Sequence, residues 1–313
     1  MVADKRRIGR LEVSLGGLGC NNFGRRLDAG GVRSVVEAAL EAGVTHFDTA
    51  DIYSDGASET SLGQALGARR GDVVIATKFG MGDVPEGLSG GDPRWVERAC
   101  GQSLRRLGRE YIDLYLLHRP DPQVPIADTL AAMNRLIDEG KVREIGCSNF
   151  SAGQLAQAHE AARDRGLRGF ACVQNEYNLL QRTPQEEVLA TCTSLGLAFV
   201  PFFPLAMGLL SGKYRQDRPM PSKTRLTGSH DPTAETFVAE RLAKVEQLAL
   251  FAQKHGHSLL ELALGCLACN RRVASVIAGA MTAEQVRENV AATTAWRLGA
   301  DELAEVDRLT DGA

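Results

Sequence analysis

The 313-residue sequence is poor in everything that marks a chain for a membrane, a secretory route or a nucleic acid. No apolar run approaches the ~20 residues needed to span a bilayer. The start, MVADKRRIGR, is basic but has no apolar stretch behind it, so it does not read as a secretory signal. Charge of one sign is also missing: 36 basic and 39 acidic residues leave a net −3. That balance argues against a nucleic-acid or membrane-surface partner. Seven cysteines at irregular spacing give no disulfide framework and point to a reducing, cytoplasmic setting. Cys266 and Cys269 form a C-x-x-C inside an apolar helical stretch (LLELALGCLAC), with no second pair beside it, so they read as helix-core cysteines and no metal is expected. Solenoid repeats and low-complexity segments are absent too.

What is present is an alternation. Apolar runs of strand length exchange with helical patterns from residue 15 to the end, after a short hairpin arm at 7–13. The strand runs are 15–20, 44–47, 73–77, 112–117, 142–147, 169–174, 197–202 and 274–278. Between them the helix signals include Ser58 as N-cap of 58–69 and Asp92 with Pro93 opening 92–107. Gly140 closes 125–139, Ser151 opens the fifth helix, 184–195 is the sixth, and Thr282 caps the last. Eight parallel strands with helices between them imply one (β/α)8 TIM barrel domain across 1–313, with an N-terminal β-hairpin. Two longer loops, 80–91 and 214–233, follow the third and seventh strands and should shape the mouth.

Asp48, Lys78 and His118 sit just past three consecutive strand runs, with Tyr53 in the loop after the first. In a parallel barrel these ends meet at one mouth. A phenol titrates near ~10 and needs a nearby ammonium to favour its anion; Lys78 can supply it and Asp48 can hold Lys78. A neutral His118 can orient a carbonyl oxygen. The set suits carbonyl reduction, with hydride to carbon and a proton to oxygen. The stretch GLGCNNFG (17–24) has the wrong spacing for a dinucleotide-binding G-x-G-x-x-G.

These residues lie in a sequence that resembles the aldo-keto reductases. The matching segments are FDTADIY (47–53), Ser58-Glu59, Leu62-Gly63, Thr77-Lys78, DLYLLH (113–118), GKVREIGCSNF (140–150), QNEY (174–177), PLAMGLLSGKY (204–214) and GAMTAEQVREN (279–289). They run in family order over nearly the whole chain. The resemblance implies an NADP(H)-dependent reductase of aldehydes and ketones, with Asp48, Tyr53, Lys78 and His118 as the catalytic tetrad. HRPDP (118–122) and Gln181-Arg182 also resemble the potassium-channel β-subunit branch, so a cofactor-sensing regulatory subunit stands as the alternative, beside NAD-linked oxidation of an alcohol or sugar.

The resemblance also implies cofactor contacts. Asn149 and Gln174, with Ser148, would hold the nicotinamide carboxamide, and Phe202 would stack on its ring. Gly19, Cys20 and Asn21 would line the first strand end. Pro204, Leu205 and Gly208 fall in the pyrophosphate turn, and Phe203 stands where the family has a small hydroxyl residue. Gly279, Gln285, Glu288 and Asn289 match the adenosine side. No basic residue occurs in the GAMT loop (279–282), so a 2′-phosphate would rely on Lys213, with Lys223 or Arg225. NADP is favoured on that charge and NAD is not excluded. A small-molecule carbonyl substrate would meet Asn22, Phe23, Phe79, Arg119 and Tyr177.

Overall fold

The computed structural model describes residues 4–215, 221, 224, 226 and 232–310. Lys223 and Arg225 lie outside the described residues. The chain opens with an antiparallel hairpin, β1 (Lys5–Ile8) and β2 (Leu11–Ser14). Barrel strand β3 (Gly16–Gly19) follows, then α1 (Ala29–Glu41), β4 (His46–Asp48) and α2 (Ala57–Leu66). The next units are β5 (Val74–Phe79) with α3 (Pro93–Leu107), β6 (Ile112–Leu117) with α4 (Ile126–Asp138), and β7 (Val142–Ser148) with α5 (Ala152–Asp164). Then come β8 (Cys172–Glu176), α6 (Val188–Leu195), β9 (Ala198–Phe202), α7 (Pro232–Lys254) and α8 (Leu259–Cys269). The series ends with β10 (Val276–Gly279), α9 (Ala283–Ala295) and α10 (Ala300–Thr310).

Strands β3 to β10 form one parallel sheet in the order β10-β3-β4-β5-β6-β7-β8-β9. Its two edges meet: Phe199 N donates to Arg272 O at 2.7 Å, and Ala274 N donates to Phe199 O at 2.8 Å. The sheet is therefore a (β/α)8 barrel. Side chains alternate across its wall. Ala76, Leu114, Leu116, Cys172 and Val200 point inward, where Ile8, Leu11 and Val13 of the hairpin plug the end at which the strands begin. Phe47, Ile75, Phe79, Tyr115, Leu117 and Val173 point outward into the layer shared with the helices.

Several boundaries differ from the sequence expectation, each for a local reason. Ser58 does not cap α2. Gly56, at φ 84°, opens the helix, and Ser58 is buried one residue inside it. Its hydroxyl donates to Cys20 O at 2.8 Å and meets Thr49 Oγ1 at 2.8 Å, tying two loops of the mouth together. Strand β8 starts at Cys172 rather than 169; the Asn134 side chain holds both backbone groups of Arg168 (2.9 and 3.0 Å) in the loop before it, and Ala171 already bonds to Ile145 O and accepts from Ala198 N. Strand β10 starts at Val276 because Ala274 still bonds to Phe199. The sixth helix divides into a 3-10 turn, Thr183–Gln185, and α6. The caps at Asp92, Ser151 and Thr282 form as expected, Ser151 as a full capping box with Gln154. The cysteines of the C-x-x-C lie in α8, with Cys266 buried against Arg182. No described helix is long and apolar enough to cross a membrane.

Candidate active site

Alternation along the strands decides which side chains reach the mouth. Ala76 faces inward, so Lys78, two residues on, does too, and Phe79 must face out. The same rule brings Asp48 on β4, Ser148 on β7, Gln174 on β8 and Phe202 on β9 toward the interior.

Lys78 lies at the centre, fully buried. Its Nζ donates to Asp48 Oδ1 at 2.6 Å, to Thr49 O at 2.8 Å and to Tyr53 Oη at 3.4 Å. The other Asp48 oxygen accepts from Gln174 Nε2 at 2.8 Å. Both carboxylate oxygens are thus occupied, and Lys78 is fixed on a rigid anion. Burial alone would lower the Lys78 pKa, but Asp48, then Tyr53, outweigh it and hold the ammonium above its ordinary range.

Tyr53 stands edge-on to the His118 ring, with centroids 6.1 Å apart and an interplanar angle of 78°. The expectation of a lowered tyrosine pKa is corrected here. Burial raises the Tyr53 phenol above its ordinary value, and the opposing pull of Lys78 is not enough to reverse it. The tyrosine therefore carries its proton across the neutral range. His118 is neutral as well: burial, then the charges of Lys78 and Arg119, push its pKa down to about 3. Its Nδ1 is buried without a hydrogen-bond partner. A protonated phenol beside a fixed ammonium, with an uncharged imidazole opposite, can hand a proton to an oxygen placed between them. The resulting phenolate would rest against Lys78.

The other anticipated residues fall into three groups. Some gather at the mouth. Asn149, at φ 62°, donates to His118 O at 2.9 Å and to Ser148 Oγ at 3.1 Å. Ser148 Oγ in turn donates to Gln174 O at 2.7 Å. Phe202 packs edge-to-face on Phe203 at 5.2 Å. Asn21 and Asn22 converge on Gly279, where an added Cβ would meet Asn21 Oδ1 at 3.6 Å and Asn22 Nδ2 at 3.7 Å. Gly19 pairs with Gly279 in the ladder. Arg119 is exposed beside His118, and Gln285 and Glu288 are exposed on the first turns of α9. The Gln285 side chain accepts from Met281 N at 2.8 Å, and Asn289 lies 3.5 Å from Gly279 O.

A second group forms the turn after β9. Pro204 and Leu205 lead into three successive positive φ angles at Ala206 (45°), Met207 (55°) and Gly208 (103°). Only glycine takes such a conformation at no steric cost. A Cβ at Gly208 would lie 3.3 Å from Lys213 Nζ. Lys213 has no carboxylate partner among the described residues, and partial burial lowers its pKa. A strained turn with a lone ammonium against its glycine fits a phosphate group. The cofactor expected from the sequence therefore has a chemically suitable cradle.

The third group belongs to the core. Phe23 and Phe79 have no exposed surface, and Phe79 stacks on Tyr115 at 4.5 Å on the outward side of β5. Cys20 is fully buried, and burial raises its thiol pKa well above the usual range. Tyr177 is 4% exposed; its hydroxyl donates to Gln185 Oε1 at 2.7 Å, and Arg182 covers its ring. The 80–91 loop is pinched at its base, where Gly80 and Gly90 lie backbone to backbone, and Gly82 passes the Ile52 side chain beside Tyr53.

Several residues that brace this site lie in the quoted motifs but had no role assigned from the sequence. The Thr49 carbonyl is a ligand to Lys78. Glu59, fully buried, accepts from Thr77 and Arg106 and secures α2 to β5 and α3. Asp51 keeps one buried oxygen without a partner, and burial, then the charge of Glu59, raises its pKa to about 7. The run of acids in DTADIYSDGASE was the available signal.

Comparison with known proteins agrees with this architecture. The model of the aldo/keto reductase family matches residues 12–311. A probable voltage-gated potassium channel subunit beta from Oryza sativa subsp. japonica is 37% identical over 278 residues, covering 86% of this chain and 84% of that protein. The L-glyceraldehyde 3-phosphate reductase of Escherichia coli (strain K12) is 33% identical over 304 residues, 93% of this chain and 87% of that protein. A probable aldo-keto reductase 1 from Glycine max is 33% identical over 307 residues, 95% and 85% of the two chains. A match across nearly all of a complete barrel, rather than over one motif, places the chain in the aldo/keto reductase family as an oxidoreductase.

Proposed function

We propose that the protein reduces aldehydes and ketones to alcohols with NADPH, and that Tyr53 is the proton donor. The observation that carries the reading is the Lys78 ammonium, bonded to Asp48 at 2.6 Å and reaching Tyr53 at 3.4 Å. In this reading a carbonyl oxygen sits between Tyr53 Oη and the His118 ring. His118, neutral at a pKa of about 3, orients the oxygen by a hydrogen bond and does not supply the proton. Tyr53 donates its proton to the oxygen as negative charge develops there. Lys78 stabilises the phenolate left behind, and Asp48 with Gln174 keeps Lys78 in position. Solvent then returns the proton to Tyr53, which restores the starting state.

The reduced nicotinamide supplies the hydride when bound. Ser148, Asn149 and Gln174 would hold its carboxamide and Phe202 its ring face. Gly19, Asn21, Gly279, Gln285, Glu288 and Asn289 would line the adenosine side. The turn at Pro204–Leu205–Gly208 with Lys213 would take the phosphates, where charge-assisted bonds favour NADPH over NADH. Asn22 and Arg119 would border the substrate at the rim, together with the 80–91 loop. A single barrel domain is sufficient for all of these contacts.

Parallel fluorescence titrations with NADPH and NADH, followed by turnover of 4-nitrobenzaldehyde, test the reading. Tighter NADPH binding and stoichiometric NADPH oxidation are expected. NADH preference would reverse the cofactor assignment, and cofactor binding without turnover of any carbonyl would remove the catalytic one.

A further inference from the structure

A second cleft opens at the other end of the barrel, where the strands begin. It has a volume of about 540 Å³ and lies between the β1 arm, the end of α8, the end of α9 and the start of α10. That volume is in the range of small-molecule sites, roughly 300–1,000 Å³. The residues proposed for carbonyl reduction do not line it.

Its lining is asymmetric in charge. Among the described residues, Lys5, Arg6, Arg271 and Arg297 line it, against the single carboxylate of Asp4. The whole chain carries a net −3, so this concentration of positive charge is local. None of the four cations is neutralised inside the cleft by a close, buried pair. Lys5 bonds outward to Glu12 at 2.7 Å, with both side chains about half exposed. Arg297 meets Asp4 only at 3.4 Å and is 81% exposed. Arg271 has no ion pair among the described residues. Arg6 is different in kind. Its guanidinium donates to the backbone carbonyls of Ala268, Asn270 and Val273, pinning the α8–β10 turn, and has no carboxylate bonded to it. Its positive charge is thus set into the wall with no carboxylate in hydrogen-bond contact; burial lowers its pKa, and the more distant charge of Asp4 only partly offsets this.

The lining also has an apolar strip, of which Trp296 and Leu298 are only 6% and 7% exposed. Leu298 and Leu303 form it with the indole of Trp296. Trp296 is held by stacking on His257 at 4.3 Å and on Phe251 at 5.9 Å, so it is a fixed surface rather than a mobile flap. Cations interleaved with an apolar strip suit a ligand with an anionic head and a hydrocarbon body. Guanidinium groups match a carboxylate in a planar, two-pronged geometry. We propose that this cleft is a binding site for a small amphiphilic carboxylate, separate from the carbonyl site at the opposite mouth.

The placement of Trp296 provides a direct readout. The chain contains two tryptophans, Trp95 and Trp296, and Trp95→Phe leaves Trp296 as the only tryptophan, excited apart from the tyrosines at the red edge of the absorption band. The experiment titrates the full-length Trp95→Phe protein with decanoate and, separately, with neutral decyl maltoside below its micellar concentration. A saturable change in Trp296 emission is expected with decanoate alone. Arg271→Ala/Arg297→Ala should weaken it tenfold or more, and 0.5 M NaCl should weaken it in the parent. Both arginines are exposed, so the double variant should keep the parent's thermal melt, and the melt is recorded to establish this. A titration with no saturable change overturns the proposal. So does equal affinity in the double variant, or an equal response to the neutral amphiphile, which would reduce the site to a nonspecific apolar surface.

Discussion

Replacing Lys78 by methionine should separate stability from chemistry. The substitution leaves the hydrocarbon stem but removes a charge buried against Asp48. Asp48 would then be a buried anion with only Gln174 as a hydrogen-bond donor. Breaking a buried pair from one side typically costs about 3–5 kcal/mol. Removing both charges is often close to neutral. Urea unfolding should therefore show Lys78→Met strongly destabilised and Asp48→Asn/Lys78→Met substantially recovered. Activity should not recover. With Nζ 3.4 Å from Tyr53 Oη, the ammonium stabilises a phenolate by about 5 kcal/mol at an effective dielectric near 20. Some of that returns as water enters, so a loss of about 10³-fold or more in kcat/KM is expected for both variants. The pH dependence gives an independent check. Alcohol oxidation needs the Tyr53 anion, whose pKa is already raised by burial and is restrained only by Lys78. Without that charge the alkaline limb should move to higher pH. An unchanged limb, or a double variant that regains activity with its stability, would refute the assignment of Lys78 to proton transfer.

Three further outcomes follow from the same geometry. Buried His46 has its pKa lowered to about 4 by burial, against 6.5 when unfolded. The unfolded chain therefore binds a proton that the folded chain refuses between those values, and stability falls by up to ~1.4 kcal/mol per pH unit as the pH drops through that window. Urea melts of His46→Leu should flatten that limb, and an identical acid profile would contradict it. Asp51 behaves in the opposite sense. Its folded pKa of about 7 lies above the ordinary 3.8, so its contribution is full below 3.8 and is lost as the pH rises through 7. Asp51→Asn should raise the melting temperature at pH 8 and leave it nearly unchanged at pH 4; the reverse pattern would show that Asp51 is ionised and paired. Lys213→Met with Lys223→Ala should weaken NADPH by about 100-fold and NADH much less, from two charge-assisted bonds. Equal losses for the two cofactors in a direct binding assay would move Lys213 to the pyrophosphate and away from the 2′-phosphate.

Much of the barrel was legible because its strand runs are short, apolar and spaced by capped helices. Asp48, Lys78 and His118 could be placed at one mouth from strand order alone. Alternation along β5 decides more than the position of Lys78. Lys78 facing inward requires Phe79 to face outward, so the phenylalanine belongs to the outer core. Other features were hidden because they depend on contacts distant in sequence. Ser58 has the composition of a cap, yet its hydroxyl is drawn to Cys20 O, 38 residues away. Gln174 holds Asp48 across the barrel, 126 residues apart. The sign of the Tyr53 shift could not be read from residue types either. It depends on how deeply the phenol is enclosed, and burial outweighs the lysine. Helices α7 and α10 carry no chemistry-bearing motif and were seen only in the fold.

The central claim is that Tyr53 delivers the proton. The direct measurement is steady-state reduction of 4-nitrobenzaldehyde by Tyr53→Phe beside an NADPH binding titration on the same preparation. The ring and its edge contact with His118 remain, and only the hydroxyl 3.4 Å from Lys78 is removed. Turnover should fall by about three orders of magnitude or more, the scale of one lost acid catalyst or larger, while the dissociation constant for NADPH stays within about threefold. Near-wild-type turnover by a variant that binds NADPH normally would contradict the account.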